Sequence, residues 1–528
     1  MTPTPAAAPP RPIRFVHRGE IVSVAHAPLT TTALQWLRDS ARCTGTKEGC
    51  AEGDCGACTV IVAELIGPSA APPPVGSAGS GSAVVDGLLL RTVNACIQFL
   101  PTLDGRALLT VEDLKAMAGG ALHPVQDALV RCHGSQCGFC TPGFAMSLTC
   151  AYEHHQARHT EPSRADLADA LSGNLCRCTG YRPILDAGQA MFQAPPVRLD
   201  TTRIKALLTE LEQDAPLVYA APNPAAPSPT GPRVDRFFAP RTLSDLATLR
   251  AAQPDARLLA GSTDIGLWVN KQFRDLGDVI YLGNVAKLKT IRHDGQHLWI
   301  GAGAALEDAW AALVHAVPAL RDLWRRFASP PIRHAGTLGG NLANGSPIGD
   351  GAPALLALDA RIVLRHGAQQ RELPLQDFYL DYMRTALAPG EFVEGVRVPL
   401  PVPQHVRGYK IAKRFDSDIS AVCGGFALTL GDGVVRHVRL AFGGMAGIVK
   451  RAARAESALL GQPWNEATLQ TAQAQLLADF NPLTDQRASA AYRLRVAQNL
   501  LMRLWLETRE DEPLSERDTQ VWNQVCST

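Results

Sequence analysis

Cysteine is the residue type with the clearest chemical signature in this chain. The sequence holds 13 cysteines in 528 residues, and eight of them fall into two groups between positions 50 and 178. In the first group, Cys50, Cys55 and Cys58 follow the spacing C-x4-C-x2-C, and Cys96 lies further along the chain. This spacing with a distant fourth cysteine is typical of plant-type [2Fe–2S] sites. The sequence therefore predicts an iron–sulfur cluster on these four thiolates.

Glycines surround the first three of these cysteines. Gly45, Gly49, Gly53 and Gly56 allow the backbone to curl and to point its N–H groups at cluster sulfurs. Hydrogen bonds of this kind are among the factors that set the reduction potential of a cluster. Structural zinc is the main alternative, and it prefers paired C-x2–4-C motifs to three cysteines in one glycine-rich loop. We therefore favour the iron–sulfur interpretation.

The second group joins Cys137-x2-Cys140 to Cys176-x-Cys178. The C-x-C half is unusual for zinc, whose paired ligands are normally spaced more widely. Each half lies at the end of a predicted helix, and amide groups at helix N-termini stabilise thiolates. The pattern predicts a second [2Fe–2S] cluster. For the five scattered cysteines we predict buried or chemically idle thiols: Cys43, Cys132, Cys150, Cys423 and Cys526.

The segments that carry these cysteines resemble those of a known family. GTKEGCAEGDCGACTV, HGSQCGFCTPG and NLCRCTGYRP are similar to the iron–sulfur segments of the molybdenum hydroxylases, the group of the xanthine dehydrogenases and aldehyde oxidases. The resemblance implies the ligand role for all eight cysteines. It implies a β-grasp domain of the plant-type ferredoxin kind for the first cluster and a helical bundle for the second. It also implies that Gln136 and Cys178 lie toward the molybdopterin of a partner chain.

Two loops further along the chain have residue types that suit a phosphate ligand. In the first, a predicted strand ends in a tight turn at residues 260–264, where backbone N–H groups and hydroxyls can face a pyrophosphate. In the second, residues 337–350, two glycines precede Asn, Ser and Asp with little charge, which suits a loop close to a ligand. Residues 301–306 partly match a Rossmann fingerprint but lack its third glycine, so we do not predict a nicotinamide fold there.

Both loops resemble the FAD domain of the same family, which has the vanillyl-alcohol-oxidase-like fold. The match is weaker at the last two positions of the set of FAD contacts that it implies: Leu258, Leu259, Ala260, Gly261, Ser262, Thr263, Asp264, Ile265, Phe327, Thr337, Gly340, Asn341, Ser346, Asp350, Val393 and Lys410. The segment YKIAKRFDSDISAV at 409–422 resembles that of bacterial xanthine dehydrogenases. It implies that Asp416 and Asp418 lie near the flavin where NAD would approach, with Tyr382 along that approach. A solvated turn explains the two aspartates equally well.

The hydrophobic pattern predicts the elements that position these residues. Residues 1–110 are β-rich, with a hairpin at Arg18-Gly19 and a helix at 31–43, and residues 111–192 have helical spacing. Proline-rich stretches at 68–82 and 221–233 predict a flexible loop and an interdomain linker. We predict a multidomain α+β chain: a flexible tail at 1–11, a ferredoxin-like [2Fe–2S] domain at 12–110, a helical [2Fe–2S] domain at 111–194, a linker at 195–233, an FAD-binding domain at 234–407 and a C-terminal α+β domain of the flavoprotein module at 408–528.

Composition sets limits on the class of protein. A chain of 528 residues predicts about three or four domains, and 46% hydrophobic with 19% charged residues suits a folded protein. A formal charge of +1 argues against a nucleic-acid partner. The sequence has no apolar run of about 18 residues and no export signal at its start, so we predict no membrane contact and a cytoplasmic location.

The resemblance also implies an assembly and a reaction. No segment resembles the family's molybdopterin-binding domains, so we predict no catalytic residue in this chain. The resemblance implies the iron–sulfur/FAD subunit of a two-chain xanthine dehydrogenase, in a dimer of heterodimers with a molybdopterin-binding large subunit. Electrons would pass from the partner through the second cluster, the first cluster and FAD to NAD while hypoxanthine and xanthine become urate. Two alternatives stay open: the same module in another molybdenum hydroxylase, for an aldehyde or N-heterocycle, and a non-enzymatic metal-binding scaffold.

Overall fold

The computed structural model describes residues 9–67, 81–228 and 231–519. The chain divides into two units. The first unit comprises Met1–Leu288, Ala305–Glu307 and Ser329–Thr337, and the second comprises the remaining residues. The loop predicted at 68–82 lies outside the described residues up to position 80, as do most of the predicted tail and Cys526.

The strands of the first unit form a six-stranded sheet and a four-stranded sheet. They are β1 (Ile13–His17), β2 (Glu20–Val24), β3 (Thr59–Leu65), β4 (Ser82–Val85), β5 (Leu88–Asn94), β6 (Ala107–Leu109), β7 (Leu217–Ser228), β8 (Gly231–Ala239), β9 (Arg257–Leu259) and β10 (Val279–Tyr281). Those of the second unit are β11 (Ile291–His293), β12 (His297–Gly301), β13 (Arg361–His366), β14 (Gln369–Pro374), β15 (Tyr379–Asp381), β16 (Arg384–Thr385), β17 (Phe392–Pro399), β18 (His405–Ile411), β19 (Val422–Gly431), β20 (Val434–Gly443) and β21 (Lys450–Arg451).

The helices, in chain order, are α1 (Ala33–Gln35), α2 (Val111–Met117), α3 (Pro124–Arg131), α4 (Thr141–Arg158), α5 (Arg164–Ala170), α6 (Arg182–Ala190), α7 (Thr201–Glu212), α8 (Leu243–Ala252), α9 (Ile265–Asn270), α10 (Leu306–Ala316), α11 (Arg321–Arg326), α12 (Pro330–Ala335), α13 (Leu338–Ala343), α14 (Gly351–Ala357), α15 (Ala453–Leu459), α16 (Glu466–Asp479), α17 (Ala490–Thr508) and α18 (Glu516–Thr519). The helix predicted at 31–43 is instead the short α1 followed by a π-helical turn, Trp36–Ser40, because Ala41 N–H bonds to Trp36 O five residues back. Within the described part of the chain, no helix has the length and apolar character needed to cross a bilayer.

The six-stranded sheet has the strand order β2-β1-β6-β3-β5-β4. The predicted hairpin at Arg18-Gly19 is confirmed, since β1 and β2 pair antiparallel on either side of it. Both turn residues have positive φ, 54° and 72°, as a tight type I′ hairpin turn requires. β6 pairs parallel with β1 and antiparallel with β3, so the sheet is mixed. The β-rich character predicted for this part of the chain is confirmed.

Alternate residues of this sheet enter two different cores of the first unit. Ile61 and Ala63 pack with residues of α3, α4, α6 and α7, and Phe15 and Val60 pack with residues of α1 and of the second sheet. The alternation follows from the period of two along a strand. The helical pattern predicted for residues 111–192 is confirmed by α2 to α6. The cysteine loops are thus anchored to a sheet that is buried on both faces.

The prediction of a linker at 195–233 is wrong for the local structure. Residues 201–212 form α7, and β7 and β8 pair antiparallel over much of the proline-rich stretch at 221–233. Proline donates no backbone hydrogen bond, and it is tolerated in a sheet on an edge strand or at a bulge. β7 is the edge strand of the order β7-β8-β10-β9, and its register shifts between Pro222 and Pro227. Composition alone did not reveal this edge position.

The second unit is built on antiparallel sheets. One has the order β11-β12-β17-β13-β14, and another has the order β18-β19-β20-β21. Residues 301–306 follow β12, whose neighbours are both antiparallel, unlike the parallel pairs of a Rossmann fold. The long helices predicted at 467–480 and 488–507 are confirmed as α16 and α17, which share a core with β18, β19 and β20.

A buried carboxylate in α4 gives the first unit a predictable pH dependence. Glu153 is 1% exposed, and its Oε1 accepts a hydrogen bond from Leu199 N at 3.1 Å. Burial raises the pKa of Glu153 to about 7, with Arg198 acting in the opposite direction. The folded protein therefore favours the protonated acid, so the contribution of Glu153 to the free energy of unfolding is fully present below about pH 4.5 and is lost as the pH rises to about 7.

We expect Glu153→Gln to remove this dependence. The shift from the ordinary value corresponds to up to about 3 kcal/mol of destabilisation above pH 7. The melting temperature of the variant should match that of the unsubstituted chain at pH 5 and exceed it at pH 8. Glu161→Gln, at an exposed position, is the control and should change neither value. Parallel pH profiles for Glu153→Gln and the unsubstituted chain would contradict the expectation.

Candidate functional site

The four cysteines of the first group meet at one end of the six-stranded sheet. Cys50 and Cys55 lie in the loop that leads to β3, Cys58 directly precedes β3, and Cys96 follows β5. The thiol of Cys50 hydrogen bonds with those of Cys55 and Cys96, and Cys58 and Cys96 also share a hydrogen bond. Cys58 and Cys96 are buried, and the other two are half-buried. The structure thus brings together all four predicted ligands.

Protonation of this group is strongly interdependent. Hydrogen bonds with Cys55 and Cys96 lower the pKa of Cys50. The same contact with Cys50, followed by burial, raises the pKa of Cys55, and contacts with Cys50 and Cys58 raise that of Cys96. One thiolate in the group therefore opposes ionisation of its neighbours. A cationic cluster removes this conflict, because metal binding replaces the thiol protons. The residues fit the predicted cluster.

The glycines of the loop have the predicted role of curling the backbone around the sulfurs. Gly53 and Gly56 have positive φ, 80° and 69°. A methyl group at Gly49 would lie 2.9 Å from Cys55 Sγ, so a larger residue would enter the space of the ligands. Cys55 N donates a hydrogen bond to Cys50 Sγ at 3.4 Å, which is the N–H to sulfur contact expected from the sequence.

The cysteines of the second group also meet, at the N-terminal end of α4. Cys140 is the residue before α4, as predicted, and its thiol contacts that of Cys176. Burial raises the pKa of Cys140 to about 12. Burial acts in the same direction on Cys176, but hydrogen bonds from Thr179 Oγ1 and N lower the pKa overall, with Thr179 Oγ1 3.2 Å from the sulfur. Thr179 thus favours a thiolate at Cys176.

The remaining pair of this group, Cys137 and Cys178, is exposed, and the two thiols hydrogen bond with each other. Gln136 is exposed as well. In the described residues, no set of three or more His, Cys, Asp or Glu side chains converges on the position of a single metal ion. The thiols of the second group instead meet in two pairs, which suits a cluster of two irons because each iron takes two cysteines. The contact of Gln136 and Cys178 with molybdopterin stays a prediction.

A backbone hydrogen bond joins the two cysteine groups. Leu175 N, one residue before Cys176, donates to Cys55 O at 3.0 Å. Asn174 Nδ2 donates to Gly56 O at 3.0 Å beside it. Methyl groups at Gly56 and Gly143 would each lie 2.1 Å from a backbone oxygen of the facing segment. Small residues therefore allow the two loops to approach to backbone contact.

The first loop predicted to bind FAD lies in the first unit, between β9 and α9. Gly261 packs against the chain at α12, because a methyl group there would lie 1.8 Å from Ala335 O. Ser262 has a positive φ of 65° and is 4% exposed, and its Oγ has no hydrogen-bond partner among the described residues. A buried hydroxyl in a tight turn can donate a hydrogen bond to a phosphate. This loop therefore fits the predicted FAD contact. Thr337 pairs with Ala305 nearby.

The second set of predicted FAD residues lies in the second unit. It contains an ion pair between Lys410 Nζ and Asp350 Oδ2 at 2.5 Å, with the lysine side chain fully buried. Ser420 Oγ donates to Asp350 Oδ1 at 2.6 Å and accepts from Lys410 Nζ at 2.9 Å. The sequence interpretation did not single out Ser420. Only its place ten residues after Lys410, at the start of the returning strand, could have indicated it.

The other predicted FAD positions of this second set lie in a helix, a loop or a strand and make different contacts. Gly340 and Asn341 belong to α13, so the segment predicted as a loop at 337–350 begins as a short helix. Phe327 packs against Trp310 with ring centroids 5.6 Å apart. Ser346 Oγ accepts from Ile348 N at 3.4 Å, and Val393 is buried in β17. The FAD contacts of these residues stay predictions.

The two aspartates predicted near an NAD approach lie in the loop between β18 and β19. Asp418 accepts hydrogen bonds from Arg414 N at 2.8 Å and Ile419 N at 3.0 Å. Burial opposes ionisation of Asp418, but these hydrogen bonds and Arg414 lower the pKa overall. Asp418 therefore stabilises its own turn, in line with the solvated-turn alternative. Asp416 is half-buried, and Tyr382 is 66% exposed on β15–β16. The NAD role stays a prediction.

Comparison with known families gives three matches along the chain. Residues 110–189 match a [2Fe-2S] binding domain. Residues 233–401 match the FAD binding domain in molybdopterin dehydrogenase, and residues 407–508 match the CO dehydrogenase flavoprotein C-terminal domain. The presence of a [2Fe–2S]-binding domain and of an FAD-binding domain is thereby confirmed, and the ferredoxin-like domain at 12–110 stays a prediction.

Several individual proteins are similar to this chain. Xanthine dehydrogenase of Emericella nidulans is 31% identical over 521 residues, which cover 89% of this chain and 36% of that protein. Aldehyde oxidase 4 of Cavia porcellus is 29% identical over 562 residues, covering 97% of this chain and 40% of that protein. The chain thus spans about two fifths of the length of these relatives. Among solved structures, reconstituted CO dehydrogenase from Oligotropha carboxidovorans is 26% identical, with a TM-score of 0.48, and the match covers 51% of this chain and 94% of that chain.

The matched models describe [2Fe-2S]-binding, FAD-binding and flavoprotein C-terminal domains. The chain is thus similar to the iron–sulfur and FAD-binding parts of the molybdenum hydroxylases.

Proposed function

We propose that this chain is the electron-transfer part of a xanthine dehydrogenase, and that it delivers electrons to NAD. It would work with a molybdopterin-binding large subunit on which hypoxanthine and xanthine are oxidised to urate. When bound, two [2Fe–2S] clusters would carry single electrons, and FAD would collect them in pairs for hydride transfer to NAD. A dimer of heterodimers and a cytoplasmic location belong to the same proposal.

The observation that carries this proposal is the hydrogen bond from Leu175 N to Cys55 O, 3.0 Å long. It connects a residue next to Cys176 in the second group with a ligand residue of the first group. The loops that would hold the two redox centres are thus in direct backbone contact. A scaffold that only held metal structurally would not need such a connection.

The exposure of the cysteines supports a direction for the electrons. Cys137 and Cys178 are exposed, whereas Cys58 and Cys96 are buried. The second group can therefore face a partner through two of its cysteines, and two cysteines of the first group are shielded from water. Thr179 and Cys55 supply N–H donors to sulfur on the two groups, which help to set their potentials.

A second candidate function has its own support. Aldehyde oxidase 4 of Cavia porcellus matches 97% of this chain at 29% identity, close to the 31% of the xanthine dehydrogenase relative. The same module would then serve another molybdenum hydroxylase, with an aldehyde or an N-heterocycle as substrate. Because the substrate would bind to the partner, residues of this chain do not decide between the two candidates.

NADH formation by the complete assembly tests the proposal. The tagged chain is purified with the proteins that bind to it and is given xanthine and NAD. Steady NADH formation, which rises with xanthine concentration, is the expected result. If xanthine fails and added NADH still bleaches the flavin and cluster absorbance, the second candidate replaces the first. If neither xanthine nor NADH changes the spectrum, both candidates are wrong.

A further inference from the structure

One short helix connects the loop predicted to bind FAD with the loop of the first cysteine group. α9 begins at Ile265, directly after the turn at Gly261-Ser262, and ends at Asn270. A helix of six residues is about 9 Å long. Both the flavin turn and the first cysteine group belong to the first unit.

The C-terminal end of α9 binds two segments of the first cysteine group. Asn270 Nδ2 donates a hydrogen bond to Cys96 O at 2.8 Å and another to Ala51 O at 3.1 Å. Ala51 follows Cys50, and Cys96 is itself a predicted ligand. The two acceptors come from separate parts of the chain, so a single side chain ties both to the helix. The nearby ion pair between Lys271 and Glu52, at 3.8 Å, is exposed and contributes little.

The N-terminal end of α9 touches the same group through a backbone contact. A methyl group at Gly266 would lie 2.8 Å from Ile97 Cβ and 3.1 Å from Ile97 O. Ile97 follows Cys96, is 2% exposed, and also packs against Gly53 in the cysteine loop. The helix therefore lies directly on the ligand segment, and no side chain separates them.

We propose that α9 fixes the distance between the first cluster and the flavin, and that Asn270 is the positioning residue of this contact. The inference rests on the proposed electron-transfer function and adds the residues that set the step from the first cluster to FAD. Its physical basis is that rates of electron transfer fall steeply with distance. Loss of both donors of Asn270 leaves two carbonyl groups unpaired and frees the loop to move relative to the flavin turn.

The test is the rate of electron exchange between the first cluster and flavin in the full chain, loaded with iron, sulfide and FAD. A deazaflavin photoreductant injects electrons in a flash, and absorbance follows their redistribution. Because electron-transfer rates fall steeply with distance, we expect Asn270→Leu to slow the exchange severalfold, with iron, flavin and melting temperature close to those of the unsubstituted chain.

Asn223 offers a matched control. Its Nδ2 also donates two hydrogen bonds, to Asp235 at 2.8 Å and Asp275 at 3.1 Å, away from the cysteines. Asn223→Leu should leave the exchange rate unchanged, and Asn270→Gln, which keeps both donors, should recover part of it. Equal rates in Asn270→Leu and the unsubstituted chain would overturn the inference.

A second variant tests the inference if Asn270→Leu fails to bind the first cluster. Gly266→Ala pushes the helix away from Ile97 without touching a hydrogen bond, so the same slower exchange is expected, and an unchanged rate would overturn the inference. A failure of the proposed function itself looks different, because the unsubstituted chain would then show no exchange at all. The two failures are therefore distinguishable.

Discussion

Cys55→Ala is expected to abolish the first cluster while FAD remains bound. Cys55 is a predicted ligand, its thiol contacts Cys50, and its carbonyl accepts the hydrogen bond from Leu175 that joins the two cysteine groups. Loss of a group that merely supports a metal ligand already costs about 10- to 100-fold in affinity. Loss of the ligand itself should cost more. Electron delivery from the partner should therefore fall to background.

The measurement for this variant has three parts. The EPR signal of one cluster should disappear from the reduced chain, the flavin content should match that of the unsubstituted chain, and NADH formation with the partner should stop. Cys132→Ala is the matched control, because Cys132 is a half-buried cysteine outside both groups. It should keep both signals. Full turnover by Cys55→Ala would contradict the assignment of the first group.

Gly261→Ala is expected to weaken FAD binding strongly while both clusters form normally. The added methyl group would lie 1.8 Å from Ala335 O and 2.7 Å from Gly336 Cα, so backbone rather than a flexible side chain must move. Overpacking of this kind costs about 1–3 kcal/mol. If that cost falls on the bound state, FAD affinity drops by about 5- to 150-fold.

Fluorescence titration of the flavin-free chain with FAD measures this effect directly. Gly67→Ala is the control, since a methyl group there meets no atom within 4 Å. It should bind FAD as the unsubstituted chain does. Iron content and the two EPR signals should be the same in both variants. An unchanged dissociation constant for Gly261→Ala would show that the turn at 260–264 does not contact FAD.

Much of the cysteine chemistry could be predicted from the sequence because ligand spacing is a local property. The first three ligands lie within nine positions of each other, and the glycines between them indicate the curled loop. The distant ligands Cys96 and Cys176 still follow strand and helix boundaries that the hydrophobic pattern reveals. The two predicted groups therefore meet as expected.

Contacts between remote segments could not be predicted in this way. Asn270 and Cys96 are 174 positions apart, and Leu175 and Cys55 meet only after two different elements have packed. Asn270 is a polar residue in a short helix, and Leu175 is an aliphatic residue before a cysteine. Neither feature of the local sequence indicates these contacts. Ser420 is a similar case, because its role is to hydrogen bond with the buried pair Lys410 and Asp350.

The proline-rich hairpin of β7 and β8 shows that local composition can also predict the wrong structure. Prolines at 222, 224 and 227 suggested a linker because proline weakens strand pairing. That argument holds for a central strand, and β7 lies at the edge of its sheet. Edge position is a property of the whole sheet, so the local composition could not reveal it.

The most direct test of the central claim is the cofactor content of the purified full chain. Iron, acid-labile sulfide, zinc and flavin are measured together with the EPR spectrum after reduction. The account predicts a brown protein with about four irons, about four sulfides and one FAD per chain, and two distinguishable [2Fe–2S] signals. A colourless chain that holds zinc without sulfide would contradict it, and the cysteine groups would then be structural metal sites.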